Sequence, residues 1–139
     1  MARRKKVFRP TGFENVGKSN LSATIYASMM NSYPWMQLTP QAKVLYLYMK
    51  LQMYGQKPLE DYPADTFVFN FGMYVKTYHL YSNWKQFDRD CKQLVKWGFI
   101  KVYENGHTTR TKNIYQFSGE WQNINAQYER TTNPISDGI

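Results

Sequence analysis

The sequence is poor in the residues that build cross-links, metal sites and catalytic groups. It has one cysteine, Cys91, and two histidines, His79 and His107, that stand far apart. One cysteine cannot form an internal disulfide, and with isolated histidines it does not make a zinc site. Asp88 and Asp90 lie about 200° apart on a helix, so they cannot act as a carboxylate pair. We therefore predict that the protein is not an enzyme, has no cofactor, metal or small-molecule substrate, and is cytoplasmic.

Long apolar segments are missing as well. No stretch of about 18 or more apolar residues occurs, so we predict no membrane partner. The first ten residues, MARRKKVFRP, are basic and no apolar segment follows them, which is not the pattern of a signal peptide. With 42% hydrophobic residues, including 12 Tyr and 8 Phe, the chain has enough apolar surface to form a core.

The chain has a net charge of +8, and acidic residues are scarce in two parts of it. Residues 72–112 carry eight cations and three acids, a net charge of 8 − 3 = +5. Solubility alone does not require such clustering, and a basic block with a basic arm indicates a polyanionic partner. The N-terminal arm has no acid in its first nine residues and five cations, Arg3, Arg4, Lys5, Lys6 and Arg9.

Composition and hydrophobic periodicity divide the chain into three parts. Residues 1–20 form the basic arm, residues 21–122 a folded domain, and residues 123–139 a tail that we expect to be flexible. In the domain we predict a short helix within residues 23–38 that is followed by a break at Tyr33-Pro34. Further helices are predicted over 40–55, 72–79 and 83–97, and strands over 66–71, 99–104 and 113–118.

This order of elements indicates an α+β domain rather than a layout in which strands alternate with helices. Helix–turn–helix followed by a β-hairpin is the winged-helix arrangement, and the strand at 66–71 can pair with the hairpin as a third strand. In the helix at 40–55, Thr39 is the expected N-cap, and Val44, Leu45 and Tyr48 lie on the expected buried face.

One motif matches a nucleotide-binding pattern. Residues 12–19, GFENVGKS, satisfy G-x-x-x-x-G-K-[ST] through Gly12, Gly17, Lys18 and Ser19. A phosphate loop must follow a buried strand, whereas RRKKVFRPT precedes this one. We interpret the segment as a turn before the first helix, although the sequence leaves a phosphate-binding role open.

The helix at 83–97 has two different faces. Phe87, Cys91 and Leu94, with Trp84 and Val95, form an apolar face, and Ser82 is the expected cap. The opposite face has no acid, which is unusual for a solvated face and favours DNA, because Arg and Gln chelate base edges while Lys suits phosphates. Its predicted DNA-binding residues are Lys85, Gln86, Arg89, Lys92, Gln93 and Lys96.

The segment ENGHTTRTK connects the last two predicted strands. Following a recognition helix, such a loop would lie beside the neighbouring groove of DNA, where hydroxyls and cations contact phosphates. A plain solvated hairpin loop is the alternative. As a DNA-binding wing, the loop would use His107, Thr108, Thr109, Arg110 and Lys112.

Four segments carry a family resemblance: LTPQAKVLYLYMKLQ, FVFNFGMYVKTY, FDRDCKQLVKWGFIKVYENG and TRTKNIYQFSGEW. They resemble the winged-helix domains of replication initiators and related DNA-binding proteins from plasmids, phages and conjugative elements of Gram-positive bacteria. The resemblance spans roughly residues 21–121. It implies a double-stranded DNA partner and a role in replication initiation, with transcriptional regulation of a mobile element as the alternative. A protein-interaction winged helix and a homodimer also stay open.

Overall fold

The described part of the chain combines helices with a small antiparallel sheet, an α+β architecture. The structure, a computed structural model, describes residues 22–56, 59–72, 76, 78–80, 83–104 and 113–132. Its elements are α1 (Ala27–Met30), α2 (Tyr33–Met36), α3 (Pro40–Gly55), β1 (Thr66–Val68), α4 (Trp84–Lys96), β2 (Ile100–Glu104), β3 (Ile114–Phe117) and α5 (Glu120–Thr132).

Helix α3 has the predicted ends but a different buried side. The Thr39 hydroxyl accepts a hydrogen bond from the Ala42 N–H at 3.3 Å, and Pro40 fits the first turn because it needs no N–H partner there. The buried residues are Ala42, Leu45, Tyr46 and Met49, whereas Val44, expected inside, is 39% exposed. Apolar residues surround most of this helix, so its periodicity did not define the face that packs.

The sheet has the strand order β1-β3-β2, with both pairs antiparallel. Phe67 of β1 lies opposite Tyr115, and Ile100 of β2 lies opposite Phe117. The prediction that the first strand joins the hairpin as a third strand is confirmed. The register between β2 and β3 shifts between Val102 and Glu104, which marks an irregularity near the end of β2.

Helix α4 is closed at both ends by local hydrogen bonds. Asn83, rather than the expected Ser82, is the N-cap, and its side chain accepts from the Lys85 N–H at 2.8 Å. At the other end Gly98 has φ of 81°, and the Phe99 N–H donates to the Leu94 carbonyl at 3.0 Å. This is a Schellman motif, which turns the chain sharply from α4 into β2.

Helix α5 crosses the domain boundary expected at residue 122. The segment expected to be a flexible tail is helical as far as Thr132, and α5 contacts the short helix α2. The Tyr33 N–H donates to Asn125 Oδ1 at 2.8 Å, and the rings of Tyr33 and Tyr128 stack with centroids 3.7 Å apart. These contacts link distant parts of the chain, so the local composition did not reveal them.

The core lies between α3, α4 and the sheet. Its largest fully buried side chains include Phe67, Phe69, Phe99, Leu45 and Met49. The rings of Trp35 and Phe99 meet edge to face at 5.6 Å, a favourable geometry for aromatic pairs. Within the described residues, every buried side-chain nitrogen or oxygen has a hydrogen-bond partner.

Several sequence predictions fall outside the described residues. These are the arm with its five cations, the motif at 12–19, the wing at 105–112, half of the helix expected at 72–79, and the last seven residues of the tail.

Candidate functional site

The outer side of α4 places four cations on one exposed surface. Lys85, Arg89, Lys92 and Lys96 are all exposed, and Lys92 is 77% accessible. In the part of the chain that the structure describes, one acid, Asp88, borders this surface, so its formal charge is 4 − 1 = +3. The rigid helix holds the cations in a row that an extended polyanion could contact.

Two of the four cations already have partners. Lys92 Nζ lies 2.8 Å from Asp88 Oδ2, an i,i+4 ion pair that is largely exposed and therefore contributes little to stability. Lys96 Nζ lies 5.2 Å from the centroid of the Trp97 ring, in cation–π range. No ion pair joins Lys85 or Arg89 to another described residue, so these two cations are the most available for a ligand.

The two glutamines predicted to face DNA both bond within the protein. Gln93 Oε1 accepts from the Thr39 N–H at 2.9 Å, and Gln93 Nε2 donates to Thr39 Oγ1 at 3.2 Å. Gln86 Nε2 donates to Asp90 Oδ1 at 2.7 Å. Gln93 thus links α4 to the N-terminus of α3, and to read a base it would first have to release Thr39.

Asp90 and Trp84 occupy environments opposite to those expected from their polarity. Asp90 is fully buried, with the bond from Gln86 as one of its contacts, whereas Trp84 and Val95 are 55% and 40% exposed. The buried side of α4 is therefore rotated by about 50° from the predicted face at 100° per residue. No polarity pattern could show this, because Asp90 is tolerated inside only through its hydrogen bonding.

Beside the exposed Trp84 and Val95 lies an apolar groove that the sequence analysis missed. It has a volume of about 540 Å³ between α4 and the hairpin strands. We call it the α4 groove; its lining includes Phe71, Trp84, Cys91, Val95, Val102 and Tyr115, together with Lys92 and Lys96.

Cys91, at the base of the groove, is not an activated nucleophile. Burial raises the pKa of its thiol to about 12, so it is protonated at neutral pH. Burial also raises the pKa of the neighbouring Tyr115 hydroxyl. Within the described ranges, no group of three His, Cys, Asp or Glu side chains could hold a metal ion, and no helix has the length and apolar character needed to cross a membrane.

Comparison with known proteins finds no family model, no characterised protein and no solved structure that matches this chain.

Proposed function

We propose that this protein binds duplex DNA as a winged-helix domain in which α4 is the recognition helix. The order α3, β1, α4, β2, β3 and the strand order β1-β3-β2 support this assignment. In that arrangement the helix before the hairpin enters the major groove, and the hairpin contacts the flanking groove.

The observation that carries the proposal is the exposed cationic side of α4. A B-DNA major groove admits one α-helix, and the phosphates on either side attract lysine ammonium groups. Lys85 and Lys96, near opposite ends of α4, suit phosphate contacts. Arg89 lies between them and suits bidentate recognition of a guanine edge.

The remaining proposed contacts rest on the sequence. Arg110 and Lys112, with the hydroxyls of Thr108 and Thr109, would act in the wing. The five cations of residues 3–9 would add affinity without selectivity, since a flexible basic segment does not hold a fixed geometry against base edges.

The biological setting belongs to the proposal as well. The resemblance favours a protein of a mobile genetic element that acts in replication initiation, with transcriptional regulation as the alternative. The single cysteine favours a cytoplasmic location. Binding as a homodimer would double the DNA site and raise specificity.

A salt titration tests the proposal. The anisotropy of a labelled duplex, selected from a random pool, would be followed between about 50 and about 200 mM salt. If ~6 phosphates are neutralised, affinity should fall on the order of a thousandfold over this range. No binding to any duplex, or binding that salt does not weaken, would contradict the proposal and favour a winged helix that contacts proteins.

Two substitutions of Arg89 distinguish recognition of a base from electrostatic attraction to the phosphates. Arg89→Ala should cost about 1–3 kcal/mol on the selected duplex and much less on random DNA. Arg89→Lys keeps the charge but loses the bidentate fork, so it should lose discrimination while largely retaining the salt slope. Unchanged discrimination in both variants would show that Arg89 does not read bases.

A further inference from the structure

Three exposed apolar side chains of the described residues meet in the α4 groove. Trp84, Val95 and Val102 are 55%, 40% and 48% exposed, and all three line the same concavity. Its buried members include Phe87, Cys91 and Tyr115, which give it an apolar base. Contiguous apolar surface in a concave site is typical of a ligand site, whereas scattered exposed residues are not.

The charges around the groove favour an anion. Among the described residues, Lys92 and Lys96 line it together with one acid, Asp88, so the formal charge of this lining is 2 − 1 = +1. Asp88 lies 2.8 Å from Lys92 and is largely compensated by it, which leaves Lys96, whose Nζ lies 5.2 Å from the Trp97 ring centroid, as the lining cation that no described carboxylate pairs. A cationic ligand would gain nothing from Lys96.

The volume limits the size of the occupant. About 540 Å³ falls within the range of roughly 300–1,000 Å³ that accommodates small organic molecules. We propose that the α4 groove binds a small apolar organic anion, with its apolar body against Trp84, Val95 and Val102 and its negative group beside Lys92 and Lys96.

Such a ligand would also act on DNA binding. Lys92 and Lys96 belong both to the groove and to the cationic side of α4. An anion held beside them would weaken attraction to phosphates. This consequence rests on the proposed DNA-binding function, whereas binding of the ligand itself does not.

Two dyes with nearly the same apolar body test the site. Anilinonaphthalene sulfonate carries a negative group, and phenylnaphthylamine is its neutral counterpart. Each would be titrated into the full chain under conditions where circular dichroism shows it folded. We expect one sulfonate per chain, bound roughly tenfold more tightly than the neutral dye because of the lysine charges. Quenching or a shift of the tryptophan fluorescence should accompany binding, because Trp84 lines the groove.

Matched variants locate the bound dye. Val95→Glu should abolish binding of both dyes, whereas Val44→Glu, at a helix position with nearly equal exposure (39% against 40%), should not change it. Lys96→Gln should reduce the preference for the sulfonate severalfold, and Lys85→Gln, on the same helix but outside the groove, should leave it unchanged.

Several results would overturn the proposal. Equal affinity for the two dyes would remove the role of the lysines, and full binding by Val95→Glu would place the dye elsewhere. If sedimentation showed a dimer that Val95→Glu dissociates, the occupant would be a second copy. If dye binding appeared only after deletion of residues 2–20, the occupant would be the chain's own arm.

The effect of the sulfonate on duplex binding is a separate measurement. With the site established by the dyes, the sulfonate should weaken duplex binding by the native protein and much less by the Val95→Glu variant. If the native protein binds no duplex at all, the proposed function fails. The dye titrations still test whether the α4 groove is a binding site. Dye binding without any effect on a duplex that does bind would overturn the coupling.

Discussion

At the residue scale, Gly98 follows α4 and packs against the first residues of α5 so closely that no room is left for a Cβ atom. Its φ is 81°, and a Cβ at this position would lie 2.5 Å from the Trp121 nitrogen and 2.8 Å from the Glu120 carbonyl carbon. The Trp121 N–H also donates to the Gly98 carbonyl at 3.0 Å, so the two backbones cannot easily separate.

We expect Gly98→Ala to lower the free energy of unfolding by at least about 2 kcal/mol, through backbone strain and the clash together. Urea denaturation would measure the loss. Gly119→Ala is the control, because its Cβ would meet nothing closer than 3.9 Å and should cost less than about 1 kcal/mol. Equal losses in the two variants would contradict this account.

Gln93 and Arg89 lie one turn apart on α4 and should respond differently to truncation. Gln93→Ala removes both bonds to Thr39, which should cost about 1 kcal/mol of stability, whereas Arg89→Ala should leave stability nearly unchanged. Thermal melts of the two variants would measure the difference. Gln93→Glu retains an acceptor for the Thr39 N–H, so its stability should lie between those of the native protein and Gln93→Ala. If Gln93→Ala is as stable as the native protein, the bonds to Thr39 contribute little to stability. The Gln93 amide of the native protein could then exchange them for a base edge at little cost.

At the scale of the element, the buried side of α4 differs from the side that the polarity of its residues predicts. Phe87 is 6% exposed and Trp84 is 55% exposed, although both were predicted on the buried face. Phe87→Ala should cost about 3–5 kcal/mol through a core cavity, whereas Trp84→Ala should cost less than about 1 kcal/mol. Chemical denaturation would compare them. A large loss for Trp84→Ala would show that the tryptophan packs inside.

Helix α5 is the second element whose role was not expected from sequence. A chain ending after residue 122 loses the bond from Tyr33 to Asn125 and the stacking on Tyr128, together worth about 2 kcal/mol. Its Tm should fall by about 5 °C or more. A chain ending after residue 132 keeps both contacts and should melt close to the native protein. Equal melting of the two truncated chains would mean that α5 does not stabilise the domain.

At the scale of the whole molecule, three buried groups that can lose a proton should make the folded protein less stable at alkaline pH. Burial raises the pKa of Cys91 to about 12 from its ordinary 9.0, and it raises the pKa values of Tyr46 and Tyr115 above their ordinary 10.0. The unfolded chain releases these protons first. The free energy of unfolding should therefore be unaffected by these groups below pH 9 and fall as the pH rises further.

Urea denaturation between about pH 7 and about pH 11 would measure this dependence, since the ordinary pKa values of these groups lie inside that interval. Tyr46→Phe removes one of the buried protons, so its stability should fall less steeply with pH than that of the native protein. A native stability that stays constant to the top of the range would show that these groups ionise as readily when folded as when unfolded.

The sequence by itself determined the α+β class, the extent of α3 and α4, the joining of the first strand to the hairpin, and the cationic residues of α4. These features follow from local chemistry: a threonine or proline at a helix start, glycine at a helix end, and alternation in the strands. The DNA-binding role and the winged-helix assignment remain proposals founded on the same local patterns.

Only the tertiary structure decided which sides of the helices are buried. In α3, where apolar residues lie almost all round, Ala42 and Tyr46 are inside and Val44 is outside. In α4, a hydrogen bond from Gln86 accompanies the burial of Asp90, and Trp84 lies exposed beside the groove. Burial depends on partners distant in sequence, such as Thr39 for Gln93 and Tyr33 for Tyr128. Periodicity within one element contains no information about such partners, because it reports polarity and not the surface against which the element packs.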